Sequence, residues 1–427
     1  MHYENTLAFA RQLDEQDPLK DFRSRFLVPK YNGREAIYLC GNSLGLQPVT
    51  ARENVNEILS NWQELAIEGF FIGDNPWLGL HKRLTDTLSA IVGAKSEEVT
   101  IMNSLTVNLH LLMVSFYKPA GKRFKILVEG GAFPSDQYAV ASQVRFHGYD
   151  PNEAVLEIFP REGEFTLRTE DILRKINDHA DELALVLFGG INYYTGQLFD
   201  MKAITDATHA AGAIAGLDLA HAAGNVILKL HDWDVDFATW CSYKYMNSGP
   251  GGISGIFVHE KHFNSPELNR FEGWWGFRQD RRFLMPPVFE PENGAAAWQL
   301  STSPIMLLAL HKASLDIFKD AGGLDTLRAK SVLLTGYLEF LINGINQEFG
   351  DDLFTIITPK NAAERGCQLS IVCKQNGKAM FNILTNQGVI GDWREPNVIR
   401  LSPVPLYNSF GQVFEVGRIL TVAAAEN

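Results

Sequence analysis

Close cysteine pairs are missing from this chain. Its four cysteines, Cys40, Cys241, Cys367 and Cys373, lie far apart or six residues apart, without the short spacings of zinc ribbons or redox motifs. That usage fits a reduced, cytoplasmic setting. Long hydrophobic runs are missing too: apolar stretches break within about ten residues, against the ~20 needed to cross a bilayer. The opening MHYENTLAFARQLDEQDPLKDF has neither the basic head nor the apolar stretch of an export signal, so no membrane association is expected. Basic blocks are absent, and 38 Lys and Arg against 50 Asp and Glu leave a formal charge of -12, which would repel a phosphate backbone over most of the surface, so no nucleic-acid partner is expected. The eleven histidines form no H-E-x-x-H, so no metal is expected. The glycine loop NSGPGG lacks the order of a P-loop and the spacing of a dinucleotide fingerprint, which argues against kinase and dehydrogenase chemistry.

What is present is a globular composition, 46% hydrophobic and 21% charged over 427 residues, enough for two domains. Short apolar runs at 124–128, 184–188, 213–217, 237–241 and 255–259 predict buried strands, and 201–211 predicts a helix ending at Gly212. Alternating strands and helices predict an α/β large domain over 61–303, a mostly parallel sheet flanked by helices, with site residues just past the strand ends. From Pro304 a long helical pattern leads to short strand-like pieces at 353–357, 368–373 and 398–401. This predicts a smaller α+β domain over 304–427. Residues 1–60 lack the alternation and are expected to pack with the small domain.

Lys244 follows a predicted buried strand and precedes a glycine loop. A lysine desolvated there becomes an amine nucleophile towards an aldehyde cofactor, although a solvated lysine after a strand is the plainer alternative. Asp218 ends another strand, where it suits either a pyridinium partner or a helix cap, and His221 stands three residues on. Ser104 and Thr106 open one predicted helix, and Ser135 and Asp136 another; such ends bind phosphate or simply cap. Trp274 and Trp275 sit in a loop suited to an interface. Arg400 closes a short strand and suits a carboxylate or a surface ion pair. Ser43 lies in the glycine-rich turn GNSLGLQP.

LTVNLHLLM, FPSDQYA, YTGQ (Tyr194 to Gln197), DLAHA, SYKY, GWWG and VPLYNSF occur in the order and approximate spacing of the kynureninases, which the chain resembles over nearly its whole length. The resemblance implies the fold-type-I architecture of pyridoxal-phosphate (PLP) enzymes, with Lys244 carrying pyridoxal 5'-phosphate and Asp218 on its ring nitrogen. It implies that Leu105, Thr106 and Tyr243 bind the phosphate, that Phe133, Pro134, Ser135 and Asp136 flank the ring, and that His221 lies nearby. Trp274 and Thr302 would reach the phosphate from the partner subunit of a homodimer. Arg400 would bind the substrate carboxylate, with Asn42 and Ser43 beside the amino acid. The implied reaction is hydrolysis of L-kynurenine, or its 3-hydroxy derivative, to anthranilate and L-alanine in tryptophan catabolism and NAD biosynthesis, with Tyr243 as a proton donor. Three positions depart from the animal pattern: Gly189 replaces a hydroxyl residue, Phe70 a histidine near the substrate ring, and Thr302 an asparagine. These favour a bacterial-type enzyme acting on L-kynurenine. The rival readings are a cysteine desulfurase or selenocysteine lyase, which needs a reactive loop cysteine such as Cys367, and a non-catalytic binding homologue.

Overall fold

The computed structural model describes residues 2–425 apart from 266 and 351–352. Seven strands form the central sheet: β1 (Val99–Ile101), β2 (Lys125–Glu129), β3 (Val155–Ile158), β4 (Leu183–Gly189), β5 (Ile214–Asp218), β6 (Phe237–Trp240) and β7 (Gly255–Val258). Their spatial order is β1-β7-β6-β5-β4-β2-β3. From β6 through β3 the neighbours are parallel, and β7 runs antiparallel between β6 and β1. All four residues of β6 and of β7 are buried, as the continuous apolar runs require of strands covered on both faces. Gly216 in β5 must be glycine, because a Cβ there would come within 2.2 Å of the Phe237 ring on the neighbouring strand.

The smaller sheet is antiparallel, in the order Phe354–Ile356, Leu369–Cys373, Val398–Leu401, Asp392–Arg394. The division between the two bodies differs from the expected break at Pro304. Pro304 starts helix α1 (Ile305–Asp320), whose Leu308, Leu315, Ile317 and Phe318 share one hydrophobic cluster with Phe188 and Leu217 of the large sheet. Helix α2 (Leu324–Phe349) makes the transition: Leu324 and Leu327 belong to the large cluster, and Leu334, Leu338 and Leu341 to the small one. The N-terminal segment likewise serves both bodies. Ala10, Leu13 and Leu39 enter the small core, whereas Leu19, Phe26 and Leu46 enter the large one. Asp14 caps the last helix, accepting from the N–H groups of Phe410 at 2.6 Å and Gly411 at 2.9 Å.

A polar cluster lies at the edge of the sheet where β6 begins. Asp236 accepts from Nε2 of His209 at 2.8 Å, Nε2 of His262 at 2.7 Å and the Ala215 N–H at 2.7 Å, and pairs with Lys261 at 3.0 Å. Nearby, Glu98, His231 and His259 converge closely enough to hold a metal ion, a convergence no linear spacing foretells. Glu98 already accepts from the Lys95 and Glu260 N–H groups and from His231, each at 2.9 Å. Burial pushes the Asp236 carboxyl up, but its histidine hydrogen bonds and the Lys261 charge outweigh this and hold it well below the usual carboxylate range. A folded-state value below the unfolded one gives stability that is present above about pH 4 and is lost as the pH falls towards the folded value. Asp236→Asn is therefore expected to cost about 3–5 kcal/mol in denaturant unfolding at neutral pH. The gap from wild type should narrow below pH 4; a gap that widens there would contradict the assignment.

Candidate active site

Parallel strands bring their carboxyl ends to one edge, and the chain places ionisable residues there. Glu129 ends β2, Gly189 ends β4 and Asp218 ends β5, on strands in the spatial order β5-β4-β2; Lys244 follows the end of β6. The helix Leu105–Phe116 and the helix Pro134–Phe146 present their N-termini to the same edge. Two adjoining cavities of about 90 and 300 Å³ share Glu129, Asp136, Gly189 and Asp218. The smaller is lined by Leu105, Thr106, Phe133, Ser135, Asp136, Asp218, His221, Tyr243 and Lys244, nine of the residues singled out in the sequence.

Within the pocket, Lys244 Nζ lies 2.9 Å from His221 Nε2 and 5.9 Å from the centre of the Phe133 ring. Burial, then the Lys244, Arg400 and Arg394 charges, drive His221 well below the ordinary histidine range, so its ring is neutral. Its Nδ1 is buried without a partner among the described residues. Asp218 Oδ1 accepts from the Ala220 N–H at 2.8 Å. Asp218 and Asp136 share a hydrogen bond, so one of them carries a proton. Burial raises both, but the Ala220 N–H and Lys244 pull Asp218 back, whereas Asp218 and Glu129 push Asp136 further up. Asp136 is thus pushed further up than Asp218, which favours the proton on Asp136 and the charge on Asp218. Ser135 and Thr106 join hydroxyls at 2.7 Å between the two helix starts, a cradle of donors for an anion. Burial, with the Cys241 thiol beside it, pushes the Tyr243 phenol up, so it remains a proton donor.

These residues fit pyridoxal phosphate: a lysine amine, a carboxylate on one side of it, hydroxyls and free N–H groups for a phosphate, and an aromatic ring alongside. Arg400 stands beside this pocket. It is buried, donates to the carbonyl of Tyr193, which lines the pocket, and pairs with Asp392, its cross-strand partner. Ser43 Oγ donates to Asp392 Oδ2 at 2.6 Å, and Arg394 reaches the same oxygen at 3.2 Å. Burial pushes Asp392 up, but Arg400, Ser43 and Arg394 hold it below the usual carboxylate range. Arg400 and Arg394 each keep a buried Nε–H without a partner among the described residues. Asn42 donates to Gln368 Oε1 at 3.1 Å and stands by Ser43.

Pro134, Phe70, Trp274 and Thr302, like Asn42, Ser43 and Arg400, line neither cavity. Pro134 takes the first position of its helix. Phe70 packs edge-on against Trp77 at 5.2 Å. Trp274 is 45% exposed, with its indole N–H donating to the Arg282 carbonyl, and Thr302 is also exposed. Sequence reasoning missed Glu129, Tyr193, Cys241 and Asp392. Glu129 carries the same strand-end signal as Asp218. Asp392 becomes visible only through its strand pairing with Arg400.

The fold is that of the type-I PLP enzymes. Structures of this shape include the cysteine desulfurase CsdA from Escherichia coli (TM-score 0.74, 14% identity, covering 95% of this chain and 98% of that one). They also include C-DES with glycine linked to its PLP cofactor (TM-score 0.73, 16% identity, 90% and 96%). Sequence relatives are closer. The chain is 56% identical over 427 residues, all of both chains, to a kynureninase of Flavobacterium psychrophilum, and 52% identical to one of Myxococcus xanthus, covering 99% of each. It is 47% identical to one of Nematostella vectensis, covering 97% of this chain and 93% of that one. The kynureninase C-terminal domain profile matches residues 327–420. The chain belongs to the kynureninase family.

The desulfurase reading needs a reactive thiol. Cys367 is fully buried, and burial pushes it up to about 12; Cys373 rises to about 12 and Cys40 to about 11 for the same primary reason, and burial also raises Cys241. Since the thiolate is the nucleophile, Ellman's reagent at pH 8 should modify the native protein far more slowly than the unfolded one, in which all four thiols react. One rapidly reacting thiol in the native protein would reopen the rival reading.

Proposed function

We propose that the protein binds pyridoxal 5'-phosphate on Lys244 and hydrolyses L-kynurenine to anthranilate and L-alanine. The observation that carries this reading is the placement of Lys244 beside the neutral His221, in a pocket with the Asp218 carboxylate and two helix N-termini. When bound, the cofactor supplies an electron sink for the carbon atoms of the substrate. Asp218 would hold a proton on the ring nitrogen, the Thr106 and Ser135 hydroxyls with the helix N–H groups would hold the phosphate, and Phe133 would lie alongside. Lys244 takes the α-proton of the substrate, and neutral His221 accepts a hydrogen bond from the amine. Tyr243, protonated at neutral pH, donates as the carbon–carbon bond opens after water has added to the side-chain ketone. The two guanidiniums of Arg400 and Arg394 face one carboxylate, Asp392, which leaves one positive charge for the α-carboxylate of the substrate.

The reading includes a cytoplasmic homodimer. Among the described residues, no helix is long and apolar enough to cross a membrane. Exposed aromatics cluster beside Trp274: Phe283 lies 5.6 Å from it edge-on, and Phe71 lies 5.9 Å from Phe283. A second copy covering this face would bring Trp274 and Thr302 against its own pocket.

Anthranilate fluorescence on adding L-kynurenine to the cofactor-loaded protein tests the reaction. Wild type should release it, and Lys244→Ala should lower kcat by roughly a thousandfold or more. Undiminished turnover by the variant, or a loaded wild type that releases none, would reject the reading. Arg400→Lys tests the carboxylate contact separately: loss of a forked charged hydrogen bond should raise KM by about 10–100-fold with kcat changed much less.

A further inference from the structure

Glu129 has no part in the steps above, yet it lines both cavities and is only 5% exposed. Its Oε2 accepts from Asn192 Nδ2 at 3.1 Å, whereas Oε1 has no hydrogen-bond partner among the described residues. Gly189, on the strand between β2 and β5, makes room for this oxygen: a Cβ at that position would sit 2.9 Å from Oε1. The carboxyl therefore lies over the end of β4, towards Asp218.

The groups facing it are few. Asp218 comes from β5, Asp136 from the helix Pro134–Phe146, and Lys244 and His221 from the loops after β6 and β5; Cys241, Tyr243 and Tyr193 line the same pocket, with burial raising Cys241 and Tyr243, and Glu157 of β3 lines the larger cavity. His221 is neutral, so among the described residues Lys244 is the one basic side chain lining the smaller pocket, against three carboxyls. Ionising all three would crowd negative charge into an enclosed space, which is costly. One proton is favoured on Asp136. Burial, and then the Asp218 charge, push Glu129 up to about 7 against the single hydrogen bond from Asn192.

We propose that Glu129 is a positioning residue that acts through Asp218: protonated, it leaves Asp218 as the ionised partner of the cofactor ring and lets a phosphate dianion enter. Ionised, it drives a proton onto Asp218 and opposes loading. The inference rests on the pocket being the pyridoxal phosphate site. It predicts that cofactor loading takes up a proton, so that affinity falls as the pH rises through the range where free Glu129 ionises.

The test is the dissociation constant of pyridoxal 5'-phosphate for the cofactor-free protein, read from quenching of tryptophan fluorescence between pH 6 and 8.5. Wild type is compared with Glu129→Gln, so the cofactor's own titrations cancel in the ratio. The ratio of wild type to variant should be flat below pH 7 and rise by about tenfold per pH unit above it. A ratio independent of pH would overturn the role of Glu129 while leaving the cofactor site intact. Failure of either protein to bind the cofactor at any pH would instead overturn the reading on which the inference rests. Should Glu129→Gln not fold, Asn192→Asp removes the one donor to Glu129. It keeps the Oδ1 that accepts from the Tyr194 and Thr195 N–H groups. With it the break in the wild-type curve should move to higher pH, and an unmoved break would likewise count against the proposal.

Discussion

Enclosing charge at the carboxyl edge of a parallel sheet is the constraint on which the site depends. Asp218 has a single backbone donor within the pocket, and burial alone would neutralise it. Lys244 and the Ala220 N–H favour its ionised form, and Asp136 beside it is pushed further up. Each neighbour then follows from that balance. His221 is forced neutral, Tyr243 stays protonated, and the helix N-termini supply positive potential without adding another side-chain cation. A pocket so arranged is prepared for a ligand with an anionic end and a basic nitrogen.

The small domain completes the arrangement from the other side. Arg400 and Asp392 are cross-strand neighbours in its sheet, and Ser43, from the N-terminal segment, joins them. That segment is anchored by Asp14 on the last helix and by the buried ion pair of Asp17 with Lys330 at 2.6 Å. Helix α2, with its two ends in different hydrophobic clusters, links this group to the large sheet.

Much of the fold was legible in the sequence because strands covered on both faces read as unbroken apolar runs. The 398–401 and 237–241 runs match their strands to within a residue. Lys244 and Asp218 were found by the strand-end rule, which needs only local pattern. The break at Pro304 was less informative, since a proline marks a helix start as readily as a domain edge, and only packing shows which core α1 joins. Asp392 was hidden for a similar reason: in GDWREPN it reads as a polar turn, and its meaning comes from pairing with a residue eight positions away. Glu129 holds the same strand-end position as Asp218, but the glycines that follow it in VEGGAF add no second chemical cue.

The most direct test of the account is chemical trapping of the cofactor. The loaded protein is reduced with borohydride, which fixes an amine-bound aldehyde as a stable adduct, and then digested and mapped by mass spectrometry. The account predicts a single phosphopyridoxyl group on the peptide that contains Lys244. An adduct on another lysine, or none on a protein that turns over L-kynurenine, would contradict it.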